Sequence, residues 1–232
     1  MIDPTIFLLA TVLTPFFGLI AIMLLSKWPN AREGASIVTA VLTFVFAVIM
    51  LPEVFAGNTV NITAAEILPG LKIALWAEPF GVLFATLASF LWIFTTVYSI
   101  GYMRGLKEHA QTRYYSCFAI VIGATMGIAL SSNLFSLFIF YEILTIATYP
   151  LVAHKETEEA FKAGRKYLIF TLTGGLAILA GLVLMYVTSG TVDFAAGGQV
   201  ALNSLSADII KPMFVLLVAY ALWDTMRAEV ED

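Results

Sequence analysis

The chain has 232 residues, of which 60% are hydrophobic and only 12% charged, with a net charge of −4 and a mean hydropathy of +0.93. A water-soluble domain is about half apolar and a quarter charged, so this balance excludes an ordinary soluble protein and makes a lipid bilayer the solvent for most of the chain. The single cysteine, Cys117, excludes an internal disulfide framework. No Cys or His spacing resembles a zinc or iron–sulfur site, and the negative charge sits in loops and in the tail residues Glu229, Glu231 and Asp232, with no basic footprint for nucleic acid.

A bilayer core of about 30 Å needs about 20 apolar residues per helix. Runs of that kind cover residues 5–25, 35–52, 80–103, 115–132, 134–153, 167–188 and 209–223. The first run lacks a basic leader and follows Asp3, so it is expected to be a retained helix and not a cleaved signal peptide. None of the runs alternates in polarity, as the strands of a membrane barrel would. The expected fold class is therefore all-α, a membrane protein of about seven transmembrane helices. It forms a single transmembrane helical domain over residues 1–232, with residues 53–77 and 189–208 as loops on one side.

Basic residues give the orientation. Lys27, Arg32, Arg104, Lys107, Arg113, Lys155, Lys162, Arg165, Lys166 and Arg227 fall on one side of this arrangement, and only Lys72 and Lys211 on the other. By the positive-inside rule the N-terminus is expected outside, the C-terminus in the cytoplasm, and the chain in the cell membrane as a multi-pass protein.

Among the acids, Glu142 alone reads as a mid-helix residue, ninth in the run 134–153. A charged side chain at that depth costs at least ~2.5–3.5 kcal/mol, which calls for a reason. One reading is a protonatable carboxyl on an ion path; the other is a neutral acid that hydrogen-bonds two helices together. Thr145 and Tyr149, three and seven residues on, share the face of Glu142 and form a polar stripe with it. Pro150 removes a backbone hydrogen bond at the end of that stripe. Lys166, at the start of the sixth run, is a further candidate neighbour, although a lysine there ordinarily extends to the headgroups. Gly123 and Gly127, and Gly174, Gly175 and Gly181, read as helix-packing positions. His109 and His154 fall in loops, so no histidine is available within the helices to hold a haem, and no organic cofactor or metal is expected.

The string FSLFIFYEILT from Phe135, the charged loop after it, AGRKYLIFTLTGG from Ala163 and YSIGYM from Tyr98 together resemble the proton-translocating antiporter-like subunits. These are the A-type and D-type subunits of Mrp-type sodium/proton antiporters, the D-type above all, and their relatives in respiratory complex I and membrane-bound hydrogenases. The resemblance spans about residues 1–190. It implies that Glu142 carries protons under the influence of a lysine in the seventh helix. It also implies other membrane subunits as partners, protons with sodium as the candidate coupled ion, and a transporter subunit without a redox centre. This chain departs from the pattern, because its last run reads FVLLVAYALWDTMRAEVED with no lysine inside it. Asp224 stands near the matching place, and Lys211 lies about 15 Å away by helical rise. The family's usual fourteen helices, in two inverted five-helix repeats, imply here a truncated form: three leading helices over residues 1–103 and an incomplete first repeat over 115–223. A structural or assembly subunit that moves no ions is the alternative function.

Overall fold

The computed structural model describes residues 3–194. Six helices and one β-hairpin follow in the order α1 (Pro4–Leu24), α2 (Pro29–Phe55), β1 (Val60–Leu68), β2 (Leu71–Ala77), α3 (Pro79–Gly105), α4 (Gln111–Ala129), α5 (Leu134–Val152) and α6 (Glu158–Ser189). Each of the first six predicted spans corresponds to one helix; the seventh, at residues 209–223, lies outside the described residues. By length and composition five of the helices can cross a membrane. The exception, α4, opens on the polar turn Gln111-Thr112-Arg113 and packs against α1, α2, α3 and α5, so it needs less apolar surface of its own.

Local chemistry sets the helix ends. Pro4, Pro29 and Pro79 occupy the first helical position of α1, α2 and α3, where a missing N–H is harmless and the fixed φ suits the helix. The Asp3 side chain accepts from Thr5 N, Asn133 from Ser136 N and Thr157 from Ala160 N, each satisfying an otherwise unpaired first-turn donor. Beyond α6, Gly190 takes the left-handed conformation (φ 71°) that ends the helix, with its N–H donating to the Tyr186 carbonyl.

The expected all-α fold and the expected loop at residues 53–77 need correction, because that segment contains an antiparallel hairpin running from Val60 paired with Ala77 to Leu68 paired with Leu71. Pro69 and Gly70 make its turn, with Gly70 at φ +79°. The hairpin lies across one end of the bundle. Trp76 N donates to the Leu130 carbonyl (2.7 Å), Ser132 N to the Ala74 carbonyl (3.1 Å) and Ala74 N to Ser136 Oγ (2.8 Å). Asn133, fully buried, donates from Nδ2 to the Lys72 carbonyl while its Oδ1 caps α5. At the tip, Tyr186 of α6 donates to the Pro69 carbonyl (3.0 Å), and a Cβ added at Gly70 would lie 2.3 Å from the Gly190 carbonyl oxygen. The described beginning of the segment at 189–208 is likewise held and not loose. Val192 is buried and accepts from Leu134 N, Phe194 N donates to the Ser132 carbonyl, and Asp193 pairs with Lys72 at 3.0 Å.

Two apolar clusters form the core. At the hairpin end Leu8, Met50, Val82, Met126 and Leu130 pack beneath Val60 and Leu75; toward the other end Ile22, Ala40, Trp92, Tyr115 and Ala119 come together. The helices differ in depth, since the membrane-length window of α6 is 11% buried against 33% in each of α1, α2 and α3. Accordingly α6 is the outermost described helix, held mainly through α5.

Candidate functional site

Glu142 stands at the centre of α5 and faces α6. A Cβ added at Gly175 would lie 2.0 Å from Glu142 Oε1, and one at Gly174 would lie 3.1 Å from the Tyr141 hydroxyl. The two glycines therefore leave the room that two large polar side chains of α5 occupy. Tyr141 uses that room to donate to the Thr171 carbonyl (3.2 Å), which ties the helices together beside the acid. On the outward side, Glu142, Phe138, Leu172, Gly175 and Leu176 line a recess of about 300 Å³. Among the described residues no hydrogen bond or ion pair reaches the Glu142 carboxyl, whose surroundings are apolar walls and a glycine backbone.

The remaining predicted residues divide. Tyr149 lies on the same seam, its ring 2.8 Å from where a Cβ on Gly164 would be, and seven residues along α5 from Glu142, or about 10 Å. Thr145 is buried (2% exposed). Lys166 is exposed and stands nine residues before Gly175 on α6, about 13 Å along the axis from the level of Glu142. Thus Glu142 and Tyr149 share one helix–helix seam, whereas Lys166 does not approach the acid. Tyr141, Gly174 and Gly175 are the partners that sequence reasoning passes over. The glycine pair is legible as a packing feature; that it packs on the glutamate itself depends on the pairing of α5 with α6.

A second acid proves to be buried. Because α2 begins at Pro29 and not at residue 35, Glu33 belongs to its first turns and is 4% exposed. Glu142 is therefore not the one acid set inside a helix. Unlike Glu142, Glu33 is fully compensated: Arg104 Nε donates to its Oε1 (3.0 Å), a second Arg104 nitrogen reaches Oε2, and Arg32 Nη2 lies 3.4 Å away. Arg32 in turn donates to Thr112 Oγ1 (3.0 Å) and Gln111 Oε1 (2.8 Å) and lies over the Tyr115 ring. This network ties α2, α3 and α4 at the end where the basic residues collect. Nearby, Arg113 pairs with Glu156 and donates to the His154 carbonyl, so the α4 start is fastened to the α5–α6 turn. The guanidinium of Arg113 holds the Glu156 carboxyl below its usual range.

The comparisons with known proteins bear on the same segments. The transmembrane family model for NADH:quinone oxidoreductase and Mrp antiporter proteins matches residues 131–224, which include α5, α6 and their seam. Over these segments the chain is similar to the antiporter-like subunits. Subunit A1 of the Na(+)/H(+) antiporter of Staphylococcus aureus is 27% identical over 181 residues, 76% of this chain and 22% of that subunit. The chain therefore spans about a fifth of the length of the curated relatives it matches. Among solved structures, the fold is similar to the archaeal membrane-bound sulfane sulfur reductase, with a TM-score of 0.71 at 21% identity over 81% of this chain and 38% of that one. It is also similar to the Mrp complex of a Dietzia species (TM-score 0.67, 20% identity, 84% of this chain and 36% of that one) and to respiratory complex I of Thermus thermophilus (TM-score 0.61, 17% identity, 83% and 40%). The chain is thus a multi-pass membrane protein whose described helices share the fold of subunits in these complexes.

Proposed function

We propose that this chain acts as a membrane subunit of a multisubunit cation/proton antiporter, of the sodium/proton kind, or of a related proton-pumping complex, and moves protons through Glu142. The observation that carries the reading is the seat of that acid: mid-helix, pressed on Gly175, open to an apolar recess and without a counter-charge among the described residues. An acid without a counter-charge at mid-helix is costly to keep in a membrane span, which favours a functional reason for its presence. Tyr149, Thr145 and Lys166 follow as path residues of lower rank, with Tyr149 first because it shares the seam. Similarity to a Na(+)/H(+) antiporter subunit supports ion exchange, and the collection of basic residues at one end supports a cytoplasmic face there with the N-terminus outside. Partner membrane subunits supply the remaining groups of the path.

The test is Glu142→Gln in the assembled complex, with ion-driven proton movement followed by a pH-sensitive dye in membrane vesicles and subunit abundance followed by blotting. Loss of exchange at unchanged abundance is expected. Full exchange refutes the role of Glu142, and loss of the subunit from the membrane assigns the residue to assembly instead.

A further inference from the structure

Two turns that are far apart in sequence meet at the basic end of the bundle. Glu108 and His109 lie between α3 and α4, His154 between α5 and α6, and one ligand atom from each falls within 4.8 Å of the others. His109 and His154 stack with ring centroids 5.0 Å apart. Both imidazole nitrogens of His154 are buried and have no hydrogen-bond partner among the described residues, an arrangement that ordinarily destabilises a fold. Glu108 and His154 line one recess of about 290 Å³ that gives access from outside. The turns themselves are held in unusual backbone: the positive-φ residues other than glycine among the described residues, Lys107, Ala110 and Glu156, all fall in them.

We propose that Glu108, His109 and His154 form a binding site for a divalent transition-metal cation of the zinc class. Two imidazoles and one carboxylate select late first-row metals over magnesium or calcium, which prefer all-oxygen shells. A tetrahedral zinc with bonds of about 2.0–2.2 Å sets its ligand atoms about 3.3 Å apart. The cluster must contract by about 1.5 Å at most to reach that spacing, within the rotamer freedom of His109, whose side chain is 47% exposed. His154 is the fixed anchor, and its unpartnered nitrogens make it the group with most to gain. Three protein ligands leave the fourth position to water, an open site. Arg113 and Lys155 stand close by; the charge of the first is met by Glu156, whose other carboxylate oxygen is 4.0 Å from His109 Nε2 and can orient that ring from outside the metal's shell. A bound cation would join the α3–α4 turn to the α5–α6 turn. This site is independent of the proton path through Glu142.

The experiment is a calorimetric titration of Zn²⁺ into the full-length chain, purified in mild detergent on a histidine-free tag with its metals stripped, with Co²⁺ as a spectroscopic probe and Mg²⁺ as a control. One equivalent of Zn²⁺ is expected with a micromolar or lower Kd, Co²⁺ should develop a visible d–d band, and Mg²⁺ should give no heat. His109→Ala, at an exposed position that leaves the fold intact, should weaken Zn²⁺ binding at least tenfold, and Glu108→Gln should do the same. Binding that is absent, that survives both substitutions unchanged, or that Mg²⁺ matches overturns the proposal.

Discussion

Gly127→Ala should destabilise the α4–α5 pair while a chemically identical change elsewhere stabilises the chain. A Cβ at Gly127 would lie 2.3, 2.4 and 2.5 Å from Cδ1, Cγ and Cε1 of Phe140, so the methyl group meets the ring face and not a flexible tip. Ordinary contact begins near 3.4 Å, and the ring must therefore retreat by about 1 Å into the cluster around Met126 and Leu130 against which it packs. Overpacking of that kind costs about 1–3 kcal/mol, from which the better helix propensity of alanine recovers about 0.8–1.0 kcal/mol. Gly101 offers the comparison, because it is exposed in α3 and an added Cβ there meets nothing within 4 Å. Gly101→Ala should gain up to about 1 kcal/mol. The two variants should thus differ by about 1–3 kcal/mol, or about 2–12 °C in apparent melting temperature for a chain of this size. Thermal unfolding of the detergent-purified protein, followed by intrinsic tryptophan fluorescence, reads the gap directly. If Gly127→Ala melts at or above Gly101→Ala, the reasoning from ring contact is wrong.

Gly175→Ala separates stability from function, since its methyl would clash only with the end of the Glu142 side chain, which can swing away, and would touch Tyr141 Cε1 at an ordinary 3.4 Å. Melting temperature should stay close to that of the unmodified chain, while proton movement in vesicles should fall at least tenfold; an unchanged rate would show that the position of the carboxyl does not matter. Glu33→Leu removes the charge that compensates Arg32, whose side chain is 6% exposed, and should cost about 3–5 kcal/mol in unfolding free energy because a buried cation is left unpaired. Arg104→Ala should be milder, since Arg32 still faces Glu33, and equal losses for the two variants would refute this division of the network.

Long apolar runs make the helices legible from composition alone, and the six described spans differ from expectation mainly at the starts of α2 and α6, where Pro29 and Glu158 open the helix ahead of the apolar residues. The hairpin is less legible. Val60, Asn61, Ile62 and Thr63 do alternate, but register shifts between Thr63 and Ala65 and between Glu66 and Leu68 break the period. What remains is the Pro69-Gly70 turn signal. At the candidate site, Glu142 stands out because its environment can be inferred from one helix. Its relation to Gly175, the burial of Glu33 and the meeting of His109 with His154 are products of helix pairing, which periodicity along one segment does not encode. Lys166 is near the acid in the chain, but α6 carries it away toward the basic end.

Nine residues of β1 span about 30 Å, close to the thickness of the hydrocarbon layer, but the ribbon runs across the bundle mouth and not through it. Its base is fixed by the apolar cluster over α1 and α2, and its tip is fastened to α6. The two bulges in the ladder sit between base and tip, where a ribbon bends most easily. The hairpin is thus a strap: bonded along β2 to the α4–α5 turn and the start of α5, and at its tip to Tyr186, it ties the outermost helix to the frame that holds α5.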